Sequence, residues 1–89
     1  MKIIRINAMW CPGCLISKSI WKEIEKKFPN HEYIDFDYDL DEEKIEKYNI
    51  KDIVPVVIIE KDNKEITRIE GEKTKKEILD ILRSFSWKE

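Results

Sequence analysis

One short run restricts the fold more than any other part of the sequence. The segment V-P-V-V-I-I-E at 54–60 is almost continuously apolar. A strand that is apolar on both faces must be covered on both, which predicts a central strand with helices on either side of its sheet. Pro55 has no N–H to give to a neighbouring strand, so it must lie at the start of this one.

Three further strands are indicated by alternating or β-branched residues. Residues 2–8 place Ile4, Ile6 and Ala8 on one face, and residues 32–38 alternate in the same way. After a turn at 61–64, residues 65–70 form a strand that returns beside the apolar one.

Helical patterns occupy the stretches between and after these strands. Pro12 suits the first turn of a helix over 12–27, because its missing N–H costs nothing there. Its apolar residues recur every fourth position, at Ile16, Ile20, Ile24 and Phe28, with Leu15 and Trp21 beside them.

Two further helices show capping residues. Asp39 or Asp41 is placed to cap a short helix that ends near Tyr48. Thr74 and Glu77 form the capping-box pattern that opens the last helix. The apolar side chains of that helix are Ile78, Leu79, Ile81, Leu82 and Phe85.

The predicted order is therefore β-α-β-α-β-β-α in a single α/β domain over residues 1–89. The first helix joins a parallel pair of strands, and an antiparallel hairpin completes a mixed four-stranded sheet. Helices are expected on both faces of this sheet.

Composition excludes several classes of function. Seventeen basic and nineteen acidic side chains give a net charge of −2, and no basic block supports nucleic-acid binding. The stretch 7–17 carries no charged residue but is too short to cross a bilayer. The start of the chain lacks the features of a signal peptide, so we expect a cytoplasmic protein. We also expect it to be a monomer that does not contact membranes.

Both cysteines lie in the motif M-W-C-P-G-C at 9–14. In a reducing compartment such a pair is more often catalytic or metal-binding than structural. A disulfide closing a loop of about four residues would add only about 2 kcal/mol in the chain-entropy model. The strand delivers Cys11 to a helix N-terminus, where a thiolate is stabilised, and Cys14 lies one turn further on and deeper.

A soft-metal site is the alternative from another class. Met9 with Cys11 and Cys14 matches the M-x-C-x-x-C loop of metal chaperones, and two thiolates suit Cu(I) or Zn(II). Those domains have the order β-α-β-β-α-β and end in a strand, whereas this chain has an additional helix and ends in one. The residues by themselves leave both interpretations open.

Several motifs together resemble the thioredoxin family. W-C-P-G-C at 10–14 looks like its Trp-Cys-x-x-Cys site, and I-V-P at 53–55 looks like the loop whose proline is cis and faces the cysteines. Gly71, between the last strand and last helix, falls where the family keeps a close backbone approach. The resemblance covers residues 2–85.

The resemblance implies a thioredoxin-like fold and a thiol–disulfide oxidoreductase acting on protein disulfides. Cys11 would be the nucleophile and Cys14 the resolving thiol. The implied substrate-binding residues are Trp10, Pro12, Gly13, Val54, Pro55 and Gly71. It implies neither a metal nor an organic cofactor: the redox group is the Cys11–Cys14 disulfide. Electrons would come from an external reductase of the thioredoxin-reductase kind, or from a glutathione-linked donor if the chain acts like a glutaredoxin.

The chain departs from the family pattern at two places. Pro12-Gly13 stands where thioredoxins usually have Gly-Pro, and this order is commoner in glutaredoxins. Arg5 replaces a buried acid that lies six residues before the first cysteine. We expect Arg5 to pair with an acidic residue of the neighbouring strand; the alternative is that its charge lowers the pKa of the thiols.

Overall fold

The structure, a computed structural model, describes residues 1–51 and 53–84. Its elements are β1 (Lys2–Asn7), α1 (Pro12–Lys27), β2 (Glu32–Asp37), α2 (Glu42–Ile45, continued by a 3-10 turn Glu46–Tyr48), β3 (Val56–Lys61), β4 (Lys64–Glu70) and α3 (Lys75–Arg83). This is the predicted order. Phe85, predicted in the closing helix, lies outside the described residues. No helix in the described part of the chain is long and apolar enough to cross a membrane.

The four strands form one mixed sheet in the order β2-β1-β3-β4. β1 and β2 are parallel and are joined by α1, whereas β3 is antiparallel to both β1 and β4. The apolar run therefore forms an interior strand, as predicted, and Val56, Val57, Ile58 and Ile59 are all buried.

The β3–β4 turn is shorter than predicted. Only Asp62 and Asn63 connect the strands, because Lys61 and Lys64 already pair with each other. Both turn residues have positive φ, 54° and 64°. Asp and Asn tolerate this conformation better than most residues, and it matches the twist of a two-residue hairpin.

Two apolar layers cover the sheet, one on each face. On one face, Ile3, Val57 and Ile59 pack with residues of α1 and α3, including Trp21 and Leu82. On the other, a smaller cluster packs around α2 and consists of Ile4, Ile6, Ile45, Val56 and Ile58, flanked by half-buried residues of β2 and its following loop.

The buried face of α1 differs from the predicted stripe. Ile16 is 51% exposed and Leu15 is exposed as well, so these two expectations were wrong. Four residues turn a helix by about 400°, so a strict four-residue repeat drifts away from any fixed face. The face that remains in contact alternates steps of three and four, through Cys14, Ser17, Trp21, Ile24 and Phe28.

The start of α2 also differs from the prediction. Asp41 holds the N-cap position, but its side chain makes no capping bond to the helix. Its Oδ2 instead accepts the Asp37 amide at 2.8 Å, and Asp37 Oδ1 accepts the amides of Asp39 and Leu40. The aspartates thus fix the loop after β2 rather than the helix. The Thr74–Glu77 capping box of α3 is present as predicted.

Candidate active site

The sheet brings two distant segments together at one edge. β1 and β3 are antiparallel, with Ile6 opposite Val56, so the end of β1 meets the start of β3. The loop after β1 carries the cysteines, and the residues before β3 are Val54 and Pro55, joined by a cis peptide bond. Cys11 Sγ lies 3.6 Å from the Val54 carbonyl oxygen, to which the thiol donates.

Cys11 is the N-cap residue of α1. Its sulfur accepts a hydrogen bond from the Cys14 amide at 3.2 Å, and Pro12 follows at the first helical position. A sulfur in this place satisfies one of the amides that the first turn leaves without a partner. Such a bond also favours negative charge on the acceptor.

The two thiols differ in burial and acidity. Cys11 is 7% exposed and Cys14 only 1%. Burial, together with the side-chain hydrogen bond to Cys11, raises the pKa of Cys14 to about 11, although an interaction with the Ala8 backbone partly opposes this. The Cys14 thiol therefore holds its proton at neutral pH, deep behind Cys11.

This raised pKa predicts a loss of stability in alkali. An unfolded thiol ionises near its usual pKa of 9.0, whereas folded Cys14 resists ionisation up to about 11. Its contribution to stability is thus complete below pH 9 and lost as pH rises through 11. We expect the free energy of unfolding of the reduced protein to fall over this range.

Urea unfolding at a series of pH values tests this prediction, with Cys14→Ser as the matched variant. The variant should show a shallower decline, because serine does not ionise there. Tyr33, whose burial raises its pKa to about 12, contributes equally to both proteins. If the free energy of unfolding falls equally with pH in both proteins, the raised pKa of Cys14 is contradicted.

Trp10 is an exposed aromatic residue next to Cys11. Its side chain is 60% exposed, and its indole Nε1 donates to Asp39 Oδ2 at 2.8 Å. The ring also meets Tyr38 edge to face, with the ring centroids 6.1 Å apart. These two contacts fix the orientation of the Trp10 ring beside Cys11.

The remaining predicted residues lie around the same edge. Gly71, with φ of +82°, donates its amide to the Pro55 carbonyl at 2.8 Å, which ties the β4–α3 loop to the cis-proline loop. Gly13 lies against the side chain of Glu72: an added Cβ there would come within 3.2 Å of Glu72 Oε2. The structure therefore gathers all the predicted site residues at one end of the sheet.

Some residues around the site were not predicted. Glu72 was missed as a neighbour of the cysteines; its position directly after Gly71 was the only signal. Several large apolar side chains at this end are also exposed, and the predicted helix stripe had placed two of them in the core. These side chains are Met9, Leu15, Ile16 and Ile53.

Arg5 pairs with carboxylates, as expected. Its guanidinium binds both oxygens of Asp35 on β2 at 2.7 Å and Glu25 on α1 at 2.7 Å. It also lies over the ring of Tyr33, 5.3 Å from its centroid. Arg5 is not among the groups that move the pKa of Cys14.

Arg5→Ala should therefore leave the pKa of Cys14 unchanged but destabilise the fold. We expect the free energy of unfolding to fall by about 1–2 kcal/mol, since the change removes a bidentate ion pair and the packing of its alkyl chain. The pKa of Cys14 is measured by carbon NMR of its isotope-labelled Cβ, with and without the Arg5 substitution, because tyrosine ionisation does not enter this signal. A shift of the Cys14 pKa would instead show that the charge of Arg5 acts on this thiol.

Across residues 1–51 and 53–84, no group of three or more His, Cys, Asp or Glu side chains is placed to hold a metal ion.

Comparison with known proteins gives consistent matches. The thioredoxin family model matches residues 1–84. Thioredoxin H5 of Oryza sativa subsp. japonica is 26% identical over 69 residues, which are 78% of this chain and 50% of that protein. The chain thus spans half the length of this curated relative.

Solved structures show the same fold. Thioredoxin of Fasciola hepatica superposes with a TM-score of 0.81 at 28% identity, covering 92% of this chain and 78% of that one. Thioredoxin f2 of Chlamydomonas reinhardtii gives a TM-score of 0.86 at 10% identity, covering 99% and 81%. The second likeness, at such low identity, concerns the fold alone.

Proposed function

This chain belongs to the thioredoxin family, and from that premise we propose that it is a thiol–disulfide oxidoreductase that reduces protein disulfides through Cys11 and Cys14. The observation that carries the proposal is the asymmetry of the two thiols. Cys11 lies at the helix N-terminus beside Val54 of the cis-proline loop, and Cys14 is more deeply buried and has a raised pKa. Cys11 is therefore proposed as the thiol that attacks the substrate, and Cys14 as the thiol that attacks second.

In the first step the Cys11 thiolate attacks one sulfur of the target disulfide. An S–S bond forms between Cys11 and the substrate while the target S–S bond breaks. The other target sulfur leaves as a thiolate and takes up a proton. The amide of Cys14, which already donates to Cys11 Sγ, supports the charged sulfur before the attack.

In the second step Cys14 resolves the mixed disulfide. It loses its proton, attacks Cys11 Sγ, and expels the second substrate sulfur, which is protonated in turn. The Cys11–Cys14 disulfide forms, and two electrons and two protons have passed to the substrate. The raised pKa of Cys14 keeps this thiol protonated, and so a poor nucleophile, in the free reduced protein.

The groove between Trp10 and the cis-proline loop is the proposed binding site for an extended substrate segment. Val54 lies two residues before β3, is half-buried and directly neighbours Cys11, and its backbone is the proposed partner of a strand-like substrate segment. Trp10 offers an exposed aromatic face on the other side. Pro12, Gly13 and Gly71 would line this groove without bulky side chains.

Electrons are proposed to come from a thioredoxin-reductase-like partner or a glutathione-linked donor. The dithiol itself is the redox group, so the reaction requires no organic cofactor within the chain. A reducing compartment such as the cytoplasm would keep the pair reduced between turnovers.

Equilibration of metal-free protein with glutathione buffers tests the proposal, with the fluorescence of Trp10 as the signal for the Cys11–Cys14 disulfide. A potential near or below about −250 mV would support a general disulfide reductase, whereas about −200 mV would favour glutathione-coupled chemistry. Trp10→Phe reports how much of the signal comes from Trp10. If no intramolecular disulfide forms and the protein binds zinc or copper instead, the oxidoreductase proposal is wrong.

A further inference from the structure

The side chain of Glu72 lies over Gly13, in the first turn of α1 between the two cysteines. A Cβ built on Gly13 would come within 3.2 Å of Glu72 Oε2 and 3.5 Å of Glu72 Cβ. The whole side chain of Glu72 therefore runs along the bare backbone of Gly13. Its carboxylate sits beside the first turn of the helix that Cys11 begins.

Glu72 is held in this place by structure on both sides of it. Gly71 is tied to the cis-proline loop by its amide bond to the Pro55 carbonyl. Two residues later, Thr74 opens α3 with a complete capping box. The short segment between these anchors leaves Glu72 beside Gly13, between the cysteine segment and the cis-proline loop.

The charge of Glu72 is available to a ligand. The residue is exposed, and none of the ion pairs found within residues 1–51 and 53–84 involves it. A second exposed carboxylate, Asp39, accepts the hydrogen bond of Trp10, the residue before Cys11. A peptide that binds beside Cys11 thus has two negative charges near it.

We propose that Glu72 determines substrate specificity: it favours disulfides whose reacting cysteine is flanked by Lys or Arg and disfavours those flanked by Asp or Glu. This inference rests on the proposed function. Charges that meet at a solvated rim act mainly on the association rate and are sensitive to salt. Their effect on the rate constant is about threefold for each charge pair, so peptides that carry Lys and Glu should differ about tenfold.

Three short peptides provide the test, each with one cysteine in a disulfide with mercaptoethanol and flanked by Lys, Gln or Glu. The second-order rate constant of the pre-reduced protein with each peptide is followed by stopped-flow fluorescence. For the wild type we expect the Lys peptide to react about tenfold faster than the Glu peptide. Glu72→Gln should reduce this ratio about three- to tenfold, and Glu72→Lys should invert it.

Asp62→Asn is the matched control, because it removes one negative charge at the far end of β3. The turn at Asp62 follows the six residues of β3, about 20 Å from the cis-proline loop. It should keep the wild-type ratio. Raising the salt to 1 M should flatten the wild-type ratio, since the screening length falls to about 3 Å.

The Gln peptide separates the two proposals. If wild-type protein reduces it but the Lys-to-Glu ratio is the same in Glu72→Gln, or does not respond to salt, Glu72 does not determine specificity and the oxidoreductase function stands. If wild-type protein does not reduce the Gln peptide, both the function and this inference are wrong.

Discussion

In the Cys14→Ser variant, the mixed disulfide between Cys11 and a protein substrate is expected to accumulate instead of resolving. The sulfur that should attack Cys11 is gone, and serine is not a nucleophile for this exchange at neutral pH. Release must then wait for a thiol from solution. Because a neighbouring group in the correct geometry acts like a very high local concentration, we expect release to slow by at least about 10³-fold at millimolar external thiol.

Non-reducing electrophoresis and intact mass detect the trapped complex as the sum of the protein and its substrate. Cys11→Ser is the paired variant: it keeps Cys14 but should form no complex, because the remaining thiol is 1% exposed and its pKa is about 11. Complex formation by Cys11→Ser but not by Cys14→Ser would reverse the proposed roles. Complex formation by neither would argue against the two-step mechanism.

Trp21→Ala is expected to lower the free energy of unfolding by about 3–5 kcal/mol. Trp21 is 1% exposed and packs in the larger core cluster between α1 and the sheet. Its removal leaves a cavity that the surrounding strands cannot fill. A domain of this size has a total stability of about 5–15 kcal/mol, so the variant is expected to be close to unfolding.

Ile16→Ala on the same helix is the control for Trp21→Ala. Ile16 is half-exposed, so its truncation should change the free energy of unfolding by no more than about 0.5 kcal/mol. Urea titration followed by circular dichroism measures both variants without relying on tryptophan fluorescence. A large loss of stability in Ile16→Ala would support the four-residue stripe, and a small loss in Trp21→Ala would contradict the position of Trp21 in the core.

The arrangement of the elements could be predicted because their signals are local. The double-sided apolar run at 54–60 required helices on both faces of the sheet, and Thr74 with Glu77 marked the start of α3 within four residues. These patterns need no knowledge of the rest of the chain. The expected pairing of Arg5 with the neighbouring strand followed in the same way from the predicted sheet, and Asp35 is that partner.

The rest depended on choices between nearly equal local options. Hydrophobicity favours Ile16 over Ser17 as a core residue, yet Ser17 is the buried one, because it lies on the face of α1 that also carries Cys14, Trp21 and Ile24. Asp41 could cap α2 or accept the Asp37 amide, and the loop takes the second option. The approach of Glu72 to Gly13 joins residues far apart in sequence, so no local pattern announces it.

Cys11 and Val54 are 43 positions apart in sequence but in contact in the structure. The proposed recognition of substrate peptides therefore requires the chain to be folded. The cysteine loop and the cis-proline loop are neighbours only while β1 and β3 are paired, and these are the two interior strands of the sheet. Small domains lose such strands all at once when they unfold. An unfolded chain would still carry two thiols that simple alkylating reagents can reach. The difference in rate between the Lys and Glu peptides would be lost on unfolding, whereas alkylation of the thiols would continue. Comparing that difference with the alkylation rate therefore reports the folded fraction.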